Sequence, residues 1–211
     1  MSISTEPPRD LDGIDCVSEH FQNLTCVWNP PNYNTDTTYT LSEQVTDAPC
    51  PHRINETACK WTLSGYPHYR QGAHWIRLTL KSSNKFGNHS QNFEINNFAI
   101  IRPPPPEKLT LRDVSPTSVE LGWDIEPTLD LGLADGISEH PVLRFQIIQE
   151  ELDGTTSTVD IDNPVKSFRA ANLIPATTYR FGVRCRTVQS SSNKFWSEFS
   201  NVTIATKPDG K

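Results

Sequence analysis

Four consecutive prolines, Pro103 to Pro106 in "IIRPPPPEKL", stand almost at the middle of a 211-residue chain. A proline has no backbone N–H to give to a sheet ladder or a helix, and a run of them holds the backbone extended and stiff. No strand or helix continues through such a run, so it divides the chain into 1–102 and 103–211. Each part has the size of a small domain of about 100 residues. Neither shows apolar residues sustained at helical spacing, and 35% of the chain is apolar, which favours short half-buried strands. The expectation is an all-β protein.

The first part carries alternating runs at 25–28, 39–41, 60–63, 75–80 and 93–95, separated by Asn, Pro, Gly and Ser. The second repeats the pattern at 109–111, 119–123, 143–148, 157–159, 168–173, 179–185 and 202–204. Seven short strands in about 100 residues, with a Trp on the second, is the pattern of an immunoglobulin-like or fibronectin-type β-sandwich. Within "LIPATTYRFGVRCR", alternation directs Tyr179, Phe181 and Val183 inward and Arg180, Gly182, Arg184 and Arg186 outward. The segment resembles the corner between the fifth and sixth strands of fibronectin type III domains. That resemblance implies a Tyr179 hydroxyl bonded back to the main chain.

Net charge is −6 and the basic residues form no stripe, so nucleic acid is not an expected partner. The acidic balance suits either a basic protein partner or ordinary solubility. No run of about 18 apolar residues and no leader-like start is present, so membrane attachment is expected only through segments outside these residues. Four of the five cysteines, Cys16, Cys26, Cys50 and Cys59, cluster in the first 60 residues and point to two short disulfide loops. The six His make no metal-ligand spacing with them. Asn23, Asn55, Asn88 and Asn201 each open an N-glycosylation sequon, and together with paired cysteines they favour an extracellular, cell-surface setting. No nucleophile with a base, phosphate loop or carboxylate pair is evident, so neither enzyme activity nor a cofactor is expected.

Arginines at 180, 184 and 186 on one strand face repel one another unless something electron-rich lies between them. "KFWSEFS" supplies Trp196 and Phe199, and an indole between guanidiniums gains about 0.5–2 kcal/mol per contact. Ser197 and Ser200 are placed to bond the neighbouring strand. The stretch Trp196-Ser197-Glu198-Phe199-Ser200 resembles the Trp-Ser-x-Trp-Ser motif of class I cytokine receptors, with Phe199 in place of the second Trp. Cys26-Val27-Trp28, the paired cysteines and the proline run match that family's binding module in order. Within the family the chain is similar to the interleukin-6 and LIF receptor group, and its departures from the vertebrate pattern point to an invertebrate member.

The resemblance implies tandem fibronectin-type sandwiches joined at an elbow, with disulfides Cys16–Cys26 and Cys50–Cys59. It implies a JAK/STAT-type receptor ectodomain binding a four-helix-bundle cytokine through elbow loops and forming homo- or hetero-oligomers on binding. The alternative is a cell-adhesion or guidance ectodomain. The implied loops are residues 64–74, 124–141 and 187–195. Tyr66, His68, Tyr69 and Arg70 come from the first, Leu129, Leu131, Leu133 and Ile137 from the second, and Val188 and Asn193 from the third. Tyr69 is the first choice for a contact residue, although core packing or a solvated loop is the other reading of these aromatics. The long 124–141 connection reads equally as functional or disordered. Cys185 is expected to face inward, either as a buried free thiol or in an intermolecular bond.

Overall fold

The computed structural model describes residues 6–31, 36–125 and 141–209. The chain separates into unit 1, Met1–Ile101, and unit 2, Arg102–Lys211. Both are built from strands, as expected.

In unit 1, β1 (Ile14–Glu19), β2 (Asn23–Trp28), β4 (His52–Asn55), β5 (Ala58–Thr62) and the two-residue β8 (Ile101–Arg102) form one sheet in the order β4-β5-β2-β1-β8. The second sheet is β3 (Thr38–Glu43), β6 (Trp75–Asn84) and β7 (Gly87–Asn96) in the order β3-β6-β7. Strict alternation on β6 sends Ile76, Leu78 and Leu80 inward, where they join Leu24, Trp28, Tyr39, Leu41 and Trp61 in the core. Cys16 lies directly opposite Cys26 in the β1–β2 pairing, and Cys26 opposite Cys59 in the β2–β5 pairing. Cys16 is bonded to Cys26 and Cys50 to Cys59. Each bond closes a short loop, worth about 2–3 kcal/mol in the chain-entropy picture.

In unit 2, β9 (Glu107–Arg112), β10 (Ser118–Asp124) and β13 (Ser167–Ala171) pair in the order β13-β10-β9. β11 (Leu143–Glu151), β12 (Thr156–Ile161), β14 (Thr178–Thr187) and β15 (Ser200–Ala205) pair in the order β12-β11-β14-β15. Trp123 and Phe145 meet in the core at 5.3 Å between ring centroids, one from each sheet. Tyr179, Phe181, Val183 and Cys185 are buried on the inner face of β14. The Ile174 amide donates to the Tyr179 hydroxyl at 2.9 Å, which fixes the turn before β14 against the strand itself.

The proline run belongs to unit 2. The Cys185 thiol donates to the Pro104 carbonyl at 3.5 Å, and the Ser200 hydroxyl donates to that of Pro106. The run is therefore tied down as part of the sandwich. Cys185 is unpaired and buried, and burial pushes its thiol up to about 12. Strands β1, β4 and β8 lie outside the runs read from sequence.

Candidate functional site

In unit 2 a connected arrangement of charged, polar and aromatic side chains lies on the outer face of β14. Pairing of β14 with β15 runs from Thr178↔Ala205 to Val183↔Ser200. Beyond that point the chain before β15 makes a 3-10 turn, Asn193–Phe195, whose start is capped by the Ser192 side chain. The chain leaves the turn extended at Trp196 and clips back onto β14 through Ser197. The Ser197 amide donates to the Cys185 carbonyl at 2.8 Å, and the Cys185 amide donates to the Ser197 hydroxyl at 3.0 Å.

That clip sets the Trp196 ring between two guanidiniums. Arg186 lies 4.5 Å from its centroid and Arg184 4.8 Å, and Arg184 also lies 4.6 Å from the Phe199 ring. The order along the face is Arg186, Trp196, Arg184, Phe199. Arg184 Nε donates to Gln146 Oε1 at 2.8 Å, and Gln146 Nε2 to Asp160 Oδ1 at 2.8 Å, so the stack is tied across β11 to β12. Arg144 pairs with Asp162 at 2.7 Å, and Arg186 donates to the Ser192 carbonyl at 3.3 Å. Burial lowers the pKa of both stacked arginines, and the neighbouring Arg144 and Arg184 lower that of Arg186 further. An arginine stays charged regardless.

Arg180 is not a rung, contrary to expectation. Its guanidinium lies 3.7 Å from Glu150 and is largely exposed. The reason is Gly182, the position between Arg180 and Arg184 on the outer face. A Cβ there would sit 2.7 Å from Ile148 Cγ2, 2.9 Å from Asn201 Oδ1 and 3.0 Å from Phe199 Cδ1. Phe199 leans onto the bare glycine and ends the stack. Gln146, Asp160, Arg144 and Asp162 went unread in the sequence, because only strand register brings them to these arginines.

In unit 1 the loop at 64–74 is pinned from within. Tyr69 is 2% exposed, with its hydroxyl accepting from Ser18 at 2.7 Å and donating to Asn97 Oδ1 at 2.8 Å. Asn97, fully buried, donates onward to the Gln71 and Ala73 carbonyls at 3.0 and 2.9 Å. Desolvation pushes the Tyr69 phenol up to about 12, against the smaller downward pull of its two hydrogen bonds. Tyr69, the first choice for a partner contact, is thus a core anchor: its hydroxyl is spent on Ser18 and Asn97, and its ring is covered. Arg70 is likewise committed, its Nε donating to the buried Glu43 at 2.6 Å.

Tyr66, 81% exposed, and His68 remain at the surface of the loop. Trp75 is 49% exposed and stacks on His74 at 5.2 Å, which stacks in turn on Phe98 at 4.9 Å. It was overlooked because it opens a strand. In unit 2, Val188 and Asn193 are exposed, and the Val188 amide bonds the carbonyl of Val142, itself an exposed apolar residue. Leu129, Leu131, Leu133 and Ile137 lie outside the described residues. Of the sequon asparagines, Asn55, Asn88 and Asn201 are exposed and Asn23 is half-buried. Among the described residues no helix is long and apolar enough to cross a membrane, and no His, Cys, Asp and Glu cluster could hold a metal.

No family model matches the chain. It is similar to the leukemia inhibitory factor receptor of Homo sapiens, 21% identical over 202 residues, and of Canis lupus familiaris, 22% identical over 202 residues. It is also similar to that of Rattus norvegicus, 27% identical over 213 residues. Each match covers 92% of this chain, and so reaches through both units, but the chain spans only 18% of the length of these relatives.

Proposed function

We propose that this chain is the cytokine-binding part of a class I cytokine receptor ectodomain, acting outside the cell as part of a JAK/STAT-type receptor. The observation that carries the reading is the stack of Arg186, Trp196, Arg184 and Phe199, locked by the Ser197–Cys185 clip. It explains why "WSEFS" stands before β15 and gives the motif a structural role. Similarity to the leukemia inhibitory factor receptor over 92% of the chain supports the same class. Phe199 in the second aromatic position and Gly182 among the arginines suit an invertebrate receptor of the Domeless type.

On this reading the ligand is a four-helix-bundle cytokine, and binding draws receptor chains into homo- or hetero-oligomers. Tyr66 and His68 in unit 1 and Val188 and Asn193 in unit 2 are the contact residues proposed, with Trp75 added. Leu129, Leu131, Leu133 and Ile137 are proposed alongside them on sequence grounds. Preformed loops on rigid strands lose little ordering entropy on docking, and exposed Tyr and Trp are the side chains that most often dominate such contacts. The test is to immobilise the chain and pass a panel of purified four-helix-bundle cytokines over it. Saturable binding to at least one is expected; binding to none, with self-association of the chain instead, would favour the adhesion alternative.

A further inference from the structure

β12 is the end strand of its sheet, and every residue from Thr156 to Asp160 is exposed. In the turn before it the Glu151 amide donates to the Thr155 carbonyl at 2.9 Å. By antiparallel alternation Ser157, Val159 and Ile161 then turn their main chain toward β11, and Thr156, Thr158 and Asp160 turn theirs to the open side. Other edges are blocked or broken. The Gln91 side chain holds the Leu11 main chain against β7 at 2.8 and 3.0 Å, and the Cys50 amide donates to Leu41 of β3 at 2.8 Å. The register of β9 with β10 shifts between Gly122 and Asp124, and that of β4 with β5 between Arg53 and Asn55. β12 has none of these guards: it carries no Pro, Lys or Arg, and its pairing with β11 runs without a shift. The sequon of unit 2, Asn201, stands on β15 at the opposite edge of the sheet.

We infer that β12 pairs antiparallel with β12 of a second copy of this chain, about a two-fold axis at Thr158, so that two four-stranded sheets become one. Thr158 then lies opposite Thr158 of the other copy and the two exchange both main-chain bonds, while each Thr156 does the same with the other copy's Asp160. This register keeps the acids apart. Asp160 meets a hydroxyl and Asp162 comes opposite Gly154, whereas an axis at Asp160 would set two carboxylates face to face. Val159, 41% exposed, gains cover. With Thr, Ser and Asp for most of its side chains the strand has little to select a foreign sequence, but a copy of itself fits by register alone. Asp160 is tied through Gln146 to Arg184, so the arginine and tryptophan stack braces the edge that pairs. The inference rests on the proposed function only for bringing copies together, and the pairing itself needs no ligand.

The whole chain carrying Thr158→Cys is oxidised gently and run without reducing agent. Cys16, Cys26, Cys50 and Cys59 are bonded and Cys185 is buried, so the new thiol is the one free to react. Opposed Cα atoms in such a pair lie about 5.5 Å apart, within disulfide reach. Thr158→Cys is expected to give a covalent dimer and Thr156→Cys alone none, whereas Thr156→Cys mixed with Asp160→Cys should cross-link. In the parent chain, sedimentation at rising concentration should show a reversible dimer. Thr158→Pro takes away both bonds at the axis but no bond to β11, so it should raise the dissociation constant at least about 30-fold with melting unchanged. A parent chain monomeric at millimolar concentration, with no cross-link through Thr158→Cys, overturns the proposal. So does a dimer that Thr158→Pro leaves intact, or one that Thr156→Cys cross-links and Thr158→Cys does not. The cytokine panel is read separately: a chain that pairs and binds no cytokine keeps this edge and loses the cytokine reading, and one that binds a cytokine but never pairs does the reverse.

Discussion

Ser197 and Cys185 exchange two hydrogen bonds, amide to carbonyl at 2.8 Å and amide to hydroxyl at 3.0 Å, and so hold the segment before β15 against β14. The Trp196 ring is placed by this clip. Ser197→Ala leaves a buried Cys185 amide without its acceptor and is expected to cost about 1–3 kcal/mol. Trp196→Ala removes a buried indole as well and should cost about 3–5 kcal/mol. Urea unfolding followed by unit 2 fluorescence gives both values. Cytokine affinity of the fraction that stays folded should be unchanged, since Trp196 is 6% exposed.

Gly182→Ala puts a methyl into a space bounded at 2.7 Å by Ile148 and 3.0 Å by Phe199. Ile148 must then give way and the Phe199 ring is pressed from Arg184, and a loss of about 1–3 kcal/mol is expected. Phe199→Ala in the same chain should relieve part of that penalty, the closer approach to Ile148 remaining. Thermal melts of the two single variants and the double variant test this: equal and additive losses would mean that the ring does not rest on the glycine.

Tyr66 and Tyr69 should part company under substitution. Tyr69→Phe deletes a buried hydroxyl shared by Ser18 and Asn97 and is expected to destabilise unit 1 by about 1–3 kcal/mol. Tyr66→Ala, at an 81% exposed side chain, should leave melting within about 0.5 kcal/mol of the parent and weaken cytokine binding by about 2 kcal/mol, mostly through faster dissociation. Surface-plasmon measurements on variants of matching circular dichroism decide it. Parental affinity in Tyr66→Ala would move the contact away from this loop.

Alkali should weaken both units, because each buries one weak acid in its protonated form. Cys185 is raised from 9.0 to about 12 and Tyr69 from 10.0 to about 12 in the folded chain. Each folded group holds its proton where its unfolded counterpart has lost it. The stabilisation is therefore whole below the unfolded pKa and is lost as pH rises from there toward the folded value. Unit 2 should begin to weaken above about pH 9 and unit 1 above about pH 10, by up to about 1.4 kcal/mol per pH unit for each group. Cys185→Ala should remove the component that starts near pH 9. Denaturant midpoints taken at half-unit pH steps provide the measurement.

Strand content and the fate of Tyr179 were legible because alternation and a corner tyrosine are local signals. Trp196, Arg184 and Arg186 were legible for a similar reason: a regular spacing of like charges demands something between them. What escaped was whatever depends on register. Gln146 and Asp160 meet Arg184 only because β11 and β12 pair beside β14 as they do, and no spacing in the chain announces it. Tyr69 misled because a Gly- and Pro-rich surrounding reads as surface, whereas Ser18 and Asn97, 51 and 28 residues away, draw the phenol inside. Arg180 misled because the gap at Gly182 is visible in the sequence but the closing of Ile148 and Phe199 over it is not.

The pinning of residues 64–74 by Tyr69 and Arg70 divides that loop into a stem and a tip. The stem is sunk in unit 1, with its phenol on Ser18 and Asn97 and its guanidinium on Glu43, so a change there is paid for in folding. The tip, Tyr66 and His68, owes the core nothing. On the proposed reading of Tyr66 and His68 as contacts, a lineage can rewrite the tip to follow a drifting partner, one substitution at a time, while the frame that presents it stays as it was.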